Sequence, residues 1–149
     1  MNTFTFWQRW LFLAGVVITL FGVFMALFND TAVFQVFNHQ IDPVFWGEQS
    51  PPDQAVFFRR WIYGVLGATI AGWGVFVAFV AHYPFRWRHK WAWMCVAFGV
   101  GFWYVLDTAI SAYYGVAFNA IFNTLLLLIV APPLIFSKKW FDQGHAQDD

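Results

Sequence analysis

Asp107 stands inside an otherwise uncharged run, GFWYVLDTAISAYY, and it is the residue from which any chemistry in this chain must be read. If that run crosses a bilayer, a charged side chain near its middle costs roughly 2.5–3.5 kcal/mol on the insertion scale. It should therefore face protein and have partners. Helical spacing names the residues that share its face: Trp103, Tyr104, Asp107, Ser111 and Tyr114 follow one another in steps of three or four. Just beyond the short Gly115-Val116 connection come Asn119 and Asn123, four apart and within reach across a tight turn. Arg59 and Arg60 open another apolar run, and Tyr63 follows on the face of Arg59.

These residues suggest one polar site built from Asp107, Arg60, Asn119, Asn123, Tyr63, Tyr104, Ser111 and Tyr114. Arg60 is expected to pair with Asp107, since guanidinium and carboxylate can bond bidentately in a way that suits a dry interior. The asparagines would serve the remaining lone pairs, and Arg59 would snorkel to the headgroups. Such a cluster can bind a polar or charged ligand group. It can equally act as a device that fixes helix register, as buried polar groups sometimes do.

Other chemistries find little support. Ser111 has no histidine on its face to activate it as a nucleophile. The histidines, His39, His82, His89 and His145, fall in loops, at the end of a run or in the tail. An intramembrane haem therefore has no ligands, and no cofactor is expected. His39, Asp42, Glu48 and Asp53 lack the spacing of a metal motif and read as a solvated acidic stretch. The single cysteine, Cys95, cannot form an internal disulfide or a paired-thiol redox centre. Catalysis is thus not favoured; an enzyme using Asp107 as acid or base on a lipid headgroup is the weaker reading.

The elements that position these residues follow from composition. Of 149 residues 60% are apolar, 23% aromatic and only 11% charged. A soluble domain usually carries roughly 25% charge, so a water-facing surface could hardly be built from this chain. Eight basic and eight acidic residues cancel, which removes the case for a nucleic-acid partner. Four runs reach the roughly 20 apolar residues needed to span a bilayer: about 10–28, 57–81, 91–114 and 117–136. The expectation is a single all-α domain over 1–149, an integral membrane four-helix bundle. Pro132 and Pro133 should kink or shorten the last span. The first run is too long for a signal-peptide core and lacks a small-residue cleavage site, so it reads as a true span.

Six basic residues, Arg9, Arg86, Arg88, Lys90, Lys138 and Lys139, fall on one side if both termini are cytoplasmic; only Arg59 and Arg60 fall on the other. Trp7, Trp10, Trp87, Trp91, Trp93 and Trp140 would then form a cytoplasmic aromatic belt. The long outer loop, 29–56, is too apolar in Val33-Phe34-Gln35-Val36-Phe37 to float in water. It is expected to contain a short interfacial helix capped near Asp30 or Thr31, followed by an extended piece lying over the outer mouth, with Pro43-Val44-Phe45-Trp46 its later apolar part and Asp53 capping the second span. A polar tail occupies 137–149, disordered over its last residues. Gly64, Ala68 and Gly72, four apart and flanked by Gly67, Ala71 and Gly74, make a nearly continuous small-residue seam suited to helix packing or to docking a partner, a second copy included.

The functional expectation is an inner-membrane protein that binds, or binds and moves, a membrane lipid or small amphipathic molecule in an outer-leaflet polar pocket centred on Asp107. The rival is an accessory subunit of a larger respiratory, photosynthetic or transport complex, supported by the aromatic excess and the glycine seam.

Overall fold

A computed structural model describes residues 2–142. It is helical throughout: α1 Thr3–Phe28, α2 Ala32–Trp46, α3 Asp53–His82, α4 Lys90–Tyr113, α5 Ala117–Ser137 and the single turn α6 Lys139–Asp142, with no strand among the described residues. Four segments are long and apolar enough to cross a membrane, of 26, 30, 24 and 26 residues, the last formed by α5 and α6 together. At about 1.5 Å per residue even the shortest is about 36 Å long, against a hydrocarbon core of about 30 Å. The chain is a multi-pass helical membrane bundle, with α2 between the first two spans; the helix expected there runs on through Pro43 to Trp46, in place of the expected extended piece.

Four antiparallel passes put Asn2, the 83–89 connection and α6 at one end, the terminal end. The α2 helix and the α4–α5 turn lie at the other. The helices neighbour one another in the order α3–α1–α5–α4. Contact between α3 and α4 is sparse, and the Trp73–Trp103 ring pair at 5.9 Å is one point where they meet.

The α1–α3 contact rests on small residues, on the flank of the expected seam rather than on its Gly64–Ala68–Gly72 centre. Gly67, Ala71, Gly74 and Ala78 of α3 face Ala26, Gly22, Thr19 and Gly15 of α1 in antiparallel register. A Cβ on Gly15 would stand 2.6 Å from the Ala78 nitrogen, and one on Gly74 would stand 2.5 Å from the Thr19 nitrogen. Backbones this close gain dispersion contacts that lipid chains cannot match. Gly64 would meet only Ala26 O at 3.8 Å and Gly72 nothing within 4 Å, so the Gly64–Ala68–Gly72 stripe lies beside the packed face. Both stripes have near-helical spacing. The partner's own small residues, Gly15, Thr19, Gly22 and Ala26, decide between them.

At the terminal end, Phe4, Phe85 and Phe141 meet with ring centroids 4.7–6.1 Å apart and head a core that includes Leu11, Ala81, Val96 and Leu134. At the α2 end Phe34, fully buried, sits among Phe21, Phe24, Phe37 and Tyr63 at 5.5–6.2 Å. Phe37 reaches on to Phe118 and Phe122 of α5, so α2 is pinned across three helices.

Several expected boundaries are corrected. Asn2 caps α1 by accepting from Phe4 N at 3.2 Å, so the helix starts at Thr3 and takes in Gln8 and Arg9. Gln8 is buried because its amide donates to Ala81 O at 2.9 Å, a carbonyl in the last turn of α3. Pro52, not Asp53, is the N-cap of α3. Asp53 lies in the first turn, where its charge meets the positive helix end. Thr31 caps α2 without a side-chain bond into the helix; its hydroxyl donates back to Phe28 O at 2.9 Å. The tail expected from 137 is helical through α6, and residues 143–149, His145 included, lie outside the described residues.

Pro132 and Pro133 do not end α5, which runs through both to Ser137. Neither can donate an N–H, so Ile129 O loses both its i+3 and its i+4 partner. The indole of Trp10 on α1 donates to that oxygen at 2.9 Å. A neighbouring helix thereby supplies the donor that the prolines withhold, the usual way such helices survive in lipid. Trp93 of α4 makes a similar bond to Leu134 O in the last turn of α5, at 2.8 Å.

Candidate functional site

The α4–α5 turn builds the polar centre. Gly115 takes φ +73°, a left-handed conformation open to glycine, and the chain reverses within three residues. Val116 N donates to Ser111 O at 2.8 Å and locks the turn. The antiparallel register that results sets Asn119 opposite Ser111 and Asn123 opposite Asp107.

The Asn119 amide donates to Asp107 Oδ1 and to Ser111 Oγ, each at 2.7 Å. Asn123 donates to the same Oδ1 at 2.9 Å and lies 3.5 Å from Thr108 Oγ1. Ser111 spends its one proton on Asp107 O at 2.7 Å, its hydroxyl standing 3.3 Å from Oδ1. Ser111 and Asn123 are buried, whereas Asp107 and Asn119 are half-buried. Every described hydrogen bond to the carboxylate goes to Oδ1, none to Oδ2, and neither described salt bridge involves Asp107. The carboxylate is thus held by neutral groups on one oxygen, with no described ion pair to a protein cation. Asp107 lies about 9 Å along α4 from its Tyr113 end, well inside the span.

The expected Arg60–Asp107 pair does not form. Arg60 Nε binds Asp30 Oδ1 at 2.7 Å, both side chains being more than half exposed at the α2 end. Arg59 does not snorkel away; it pairs with Asp42 of α2. Tyr63 donates to Asn38 Oδ1 at 3.0 Å. The reason is α2 itself. Folded as a helix, it brings Asn38 and Asp42, four apart, against Tyr63 and Arg59, four apart on α3. These contacts form a second polar zipper, separate from the first. Tyr104 pairs with Thr124 at 3.2 Å, and Tyr114 is exposed with its ring 6.5 Å from Phe45.

Of the eight expected site residues the structure therefore joins Asp107, Ser111, Asn119 and Asn123, adds Thr108, and distributes Arg60, Tyr63, Tyr104 and Tyr114 elsewhere. The i, i+4 match of Asn38/Asp42 with Tyr63/Arg59 was visible in the sequence once 32–46 is read as helix. Asp30 carried no such signal, because only the α1–α2 turn brings it to Arg60. Among the described residues no three His, Cys, Asp or Glu side chains gather as a metal site, and Cys95 is exposed. Comparison with known protein families, with curated protein sequences and with solved structures finds no match to this chain.

Proposed function

We propose that this membrane protein binds a small amphipathic molecule through Asp107, and that the head of the ligand is cationic. The observation that carries the reading is the one-sided solvation of the carboxylate, with three side-chain polar groups on Oδ1 and neither a described cation nor a described donor on Oδ2. A charge in a bilayer is stabilised by an opposite charge, and where the protein brings none a ligand can. The asparagines hold Oδ1 and so aim the other oxygen. The surrounding apolar and aromatic surface suits the rest of an amphipathic ligand.

The orientation belongs to the same proposal. The terminal end carries Arg9, Arg86, Arg88, Lys90, Lys138 and Lys139, whereas the α2 end carries Arg59 and Arg60. Positive-inside asymmetry favours cytoplasmic termini in an inner membrane and an outer-half position for Asp107.

The test titrates purified protein with tetraphenylphosphonium and with tetraphenylborate, an anion of the same shape, following tryptophan fluorescence. Saturable binding of the cation alone, lost in Asp107→Asn, supports the reading. Equal binding of both ions, or cation binding unchanged by Asp107→Asn, refutes it. A second reading, as a subunit of a larger membrane complex, draws on the uncovered Gly64–Ala68–Gly72 stripe, where a second helix could approach closely.

A further inference from the structure

Far from Asp107, the α1–α3 pair carries a groove of about 400 Å³ that opens sideways toward lipid. Gly15, Thr19 and Ala78 draw the two backbones together, while Phe12 and Leu20 on one side and Val75 and Phe79 on the other stand up as walls. The trough is apolar along its length; its one internal hydroxyl, on Thr19, is spent on Gly15 O at 2.9 Å. The stretch of α3 that lines it, Val75 to His82, is two helical turns long. Polar groups stand only at its terminal-end mouth, His82 and Tyr83, whose rings touch at 4.7 Å, with His82 5.5 Å from Phe12.

The mouth opens onto the cationic end of the molecule. Arg86 follows Tyr83 by three residues in the next connection, Lys90 opens α4, and Arg88 lies over the Phe4 ring at 4.9 Å; Asp142 is the sole acidic residue at this end among the described residues. An apolar trough ending in a positive rim at headgroup depth complements one class of molecule, a phospholipid with a negatively charged headgroup. We propose that this groove binds one acyl chain of an anionic phospholipid, with the headgroup held at the His82–Tyr83 mouth beside the basic rim. The neutral lipids of the bilayer share the chain but not the charge, so the rim selects among them.

The experiment delipidates the protein in maltoside detergent and adds phosphatidylglycerol or phosphatidylcholine of identical chains, counting retained lipid by native mass spectrometry. One phosphatidylglycerol per chain should be retained at least tenfold more tightly than phosphatidylcholine. Val75→Trp, which fills the trough from its exposed wall, should abolish retention, and Leu20→Trp from the opposite wall provides the same test should the first variant misfold. Arg86→Gln should narrow the preference between the lipids, and Phe98→Trp, on the exposed side of α4, should change nothing. Equal retention of both lipids, undiminished retention in both folded wall variants, or equal loss in Phe98→Trp would overturn the proposal.

Discussion

The bond from Trp10 to Ile129 O allows the role of a tryptophan to be separated from its bulk. Pro132 and Pro133 occupy the positions from which the N–H groups to Ile129 O would come, so the indole is the donor that the carbonyl finds, at 2.9 Å. Trp10→Phe removes the N–H while keeping an aromatic ring at the site. An intramembrane hydrogen bond averages about 0.6 kcal/mol and reaches about 1.7 kcal/mol, and an acceptor stranded away from water costs about 1–3 kcal/mol. The expected destabilisation is therefore about 1.5 kcal/mol, roughly a tenfold loss in the folding constant. Of that, about 1 kcal/mol belongs to the lost bond and the stranded carbonyl and the rest to packing; Pro133→Ala restores a helical N–H to Ile129 O, so in that background Trp10→Phe should cost only the packing part. The measurement is a double-mutant cycle by equilibrium unfolding in SDS mixed micelles, read by far-ultraviolet circular dichroism. Packing losses cancel between the two arms and leave a coupling of about 1 kcal/mol. A coupling indistinguishable from zero would mean that the indole serves the interface alone and that the proline-orphaned carbonyl needs no partner.

The packed and open glycine stripes should respond oppositely. Gly15→Ala would set a Cβ 2.6 Å from the Ala78 nitrogen. That overlap is with backbone rather than a flexible side chain, and should destabilise by about 1–3 kcal/mol on thermal unfolding in detergent. Gly72→Leu, with nothing within 4 Å, should leave the thermal stability of the isolated chain unchanged, and would lower recovery of a native partner if the subunit reading holds. Asn123→Leu removes one of the amides on Asp107 Oδ1. By melting temperature in detergent it should lose about 1–2 kcal/mol; a neutral result would show that Asn119 alone suffices. Arg59→Met leaves Asp42 without its cation and should loosen α2 where it meets α3, seen as faster amide exchange in the C-terminal turns of residues 32–46 while the Phe34 end stays protected.

What the residues disclosed in advance was set by the range of the physics involved. Four spans, the amphipathic 32–46 helix and the Asp107–Ser111–Asn119–Asn123 cluster all follow from local periodicity and one tight turn. The Arg60–Asp107 pair failed because it required a contact between α3 and α4, which are not close neighbours. Their separation is decided by which glycines of α3 meet α1. Spacing alone favoured Gly64, Ala68 and Gly72. The decisive pattern, Gly15, Thr19, Gly22 and Ala26 mirrored by Gly67, Ala71, Gly74 and Ala78, emerges only when two distant segments are aligned antiparallel. The prolines misled for a related reason: a local rule says that Pro133 breaks the ladder, and a tryptophan far back in the chain, Trp10, repairs it.

These contacts divide the bundle into a fixed and a freer part. From α1 and its C-cap, Gln8 donates to Ala81 O, Trp10 to Ile129 O and Asn29 to Arg60 O, so one helix supplies donors to both of its neighbours. Add the backbone contact with α3, and α1 cannot slide or rotate without stranding several carbonyls in a medium that offers no water. By contrast, α4 shares little surface with α3, and its α2-end half is tied to α5 through the Asp107 cluster and the Tyr104–Thr124 pair. Asp107, whose carboxylate has no described cation, thus sits on a helix held chiefly by α5. A ligand that pairs with Asp107 would act at the α4–α5 contact without disturbing the α1–α3 seam. On the proposed reading the cation would meet Oδ2, so the neutral hydrogen bonds on Oδ1 that join α4 to α5 would stay in place while the charge is matched.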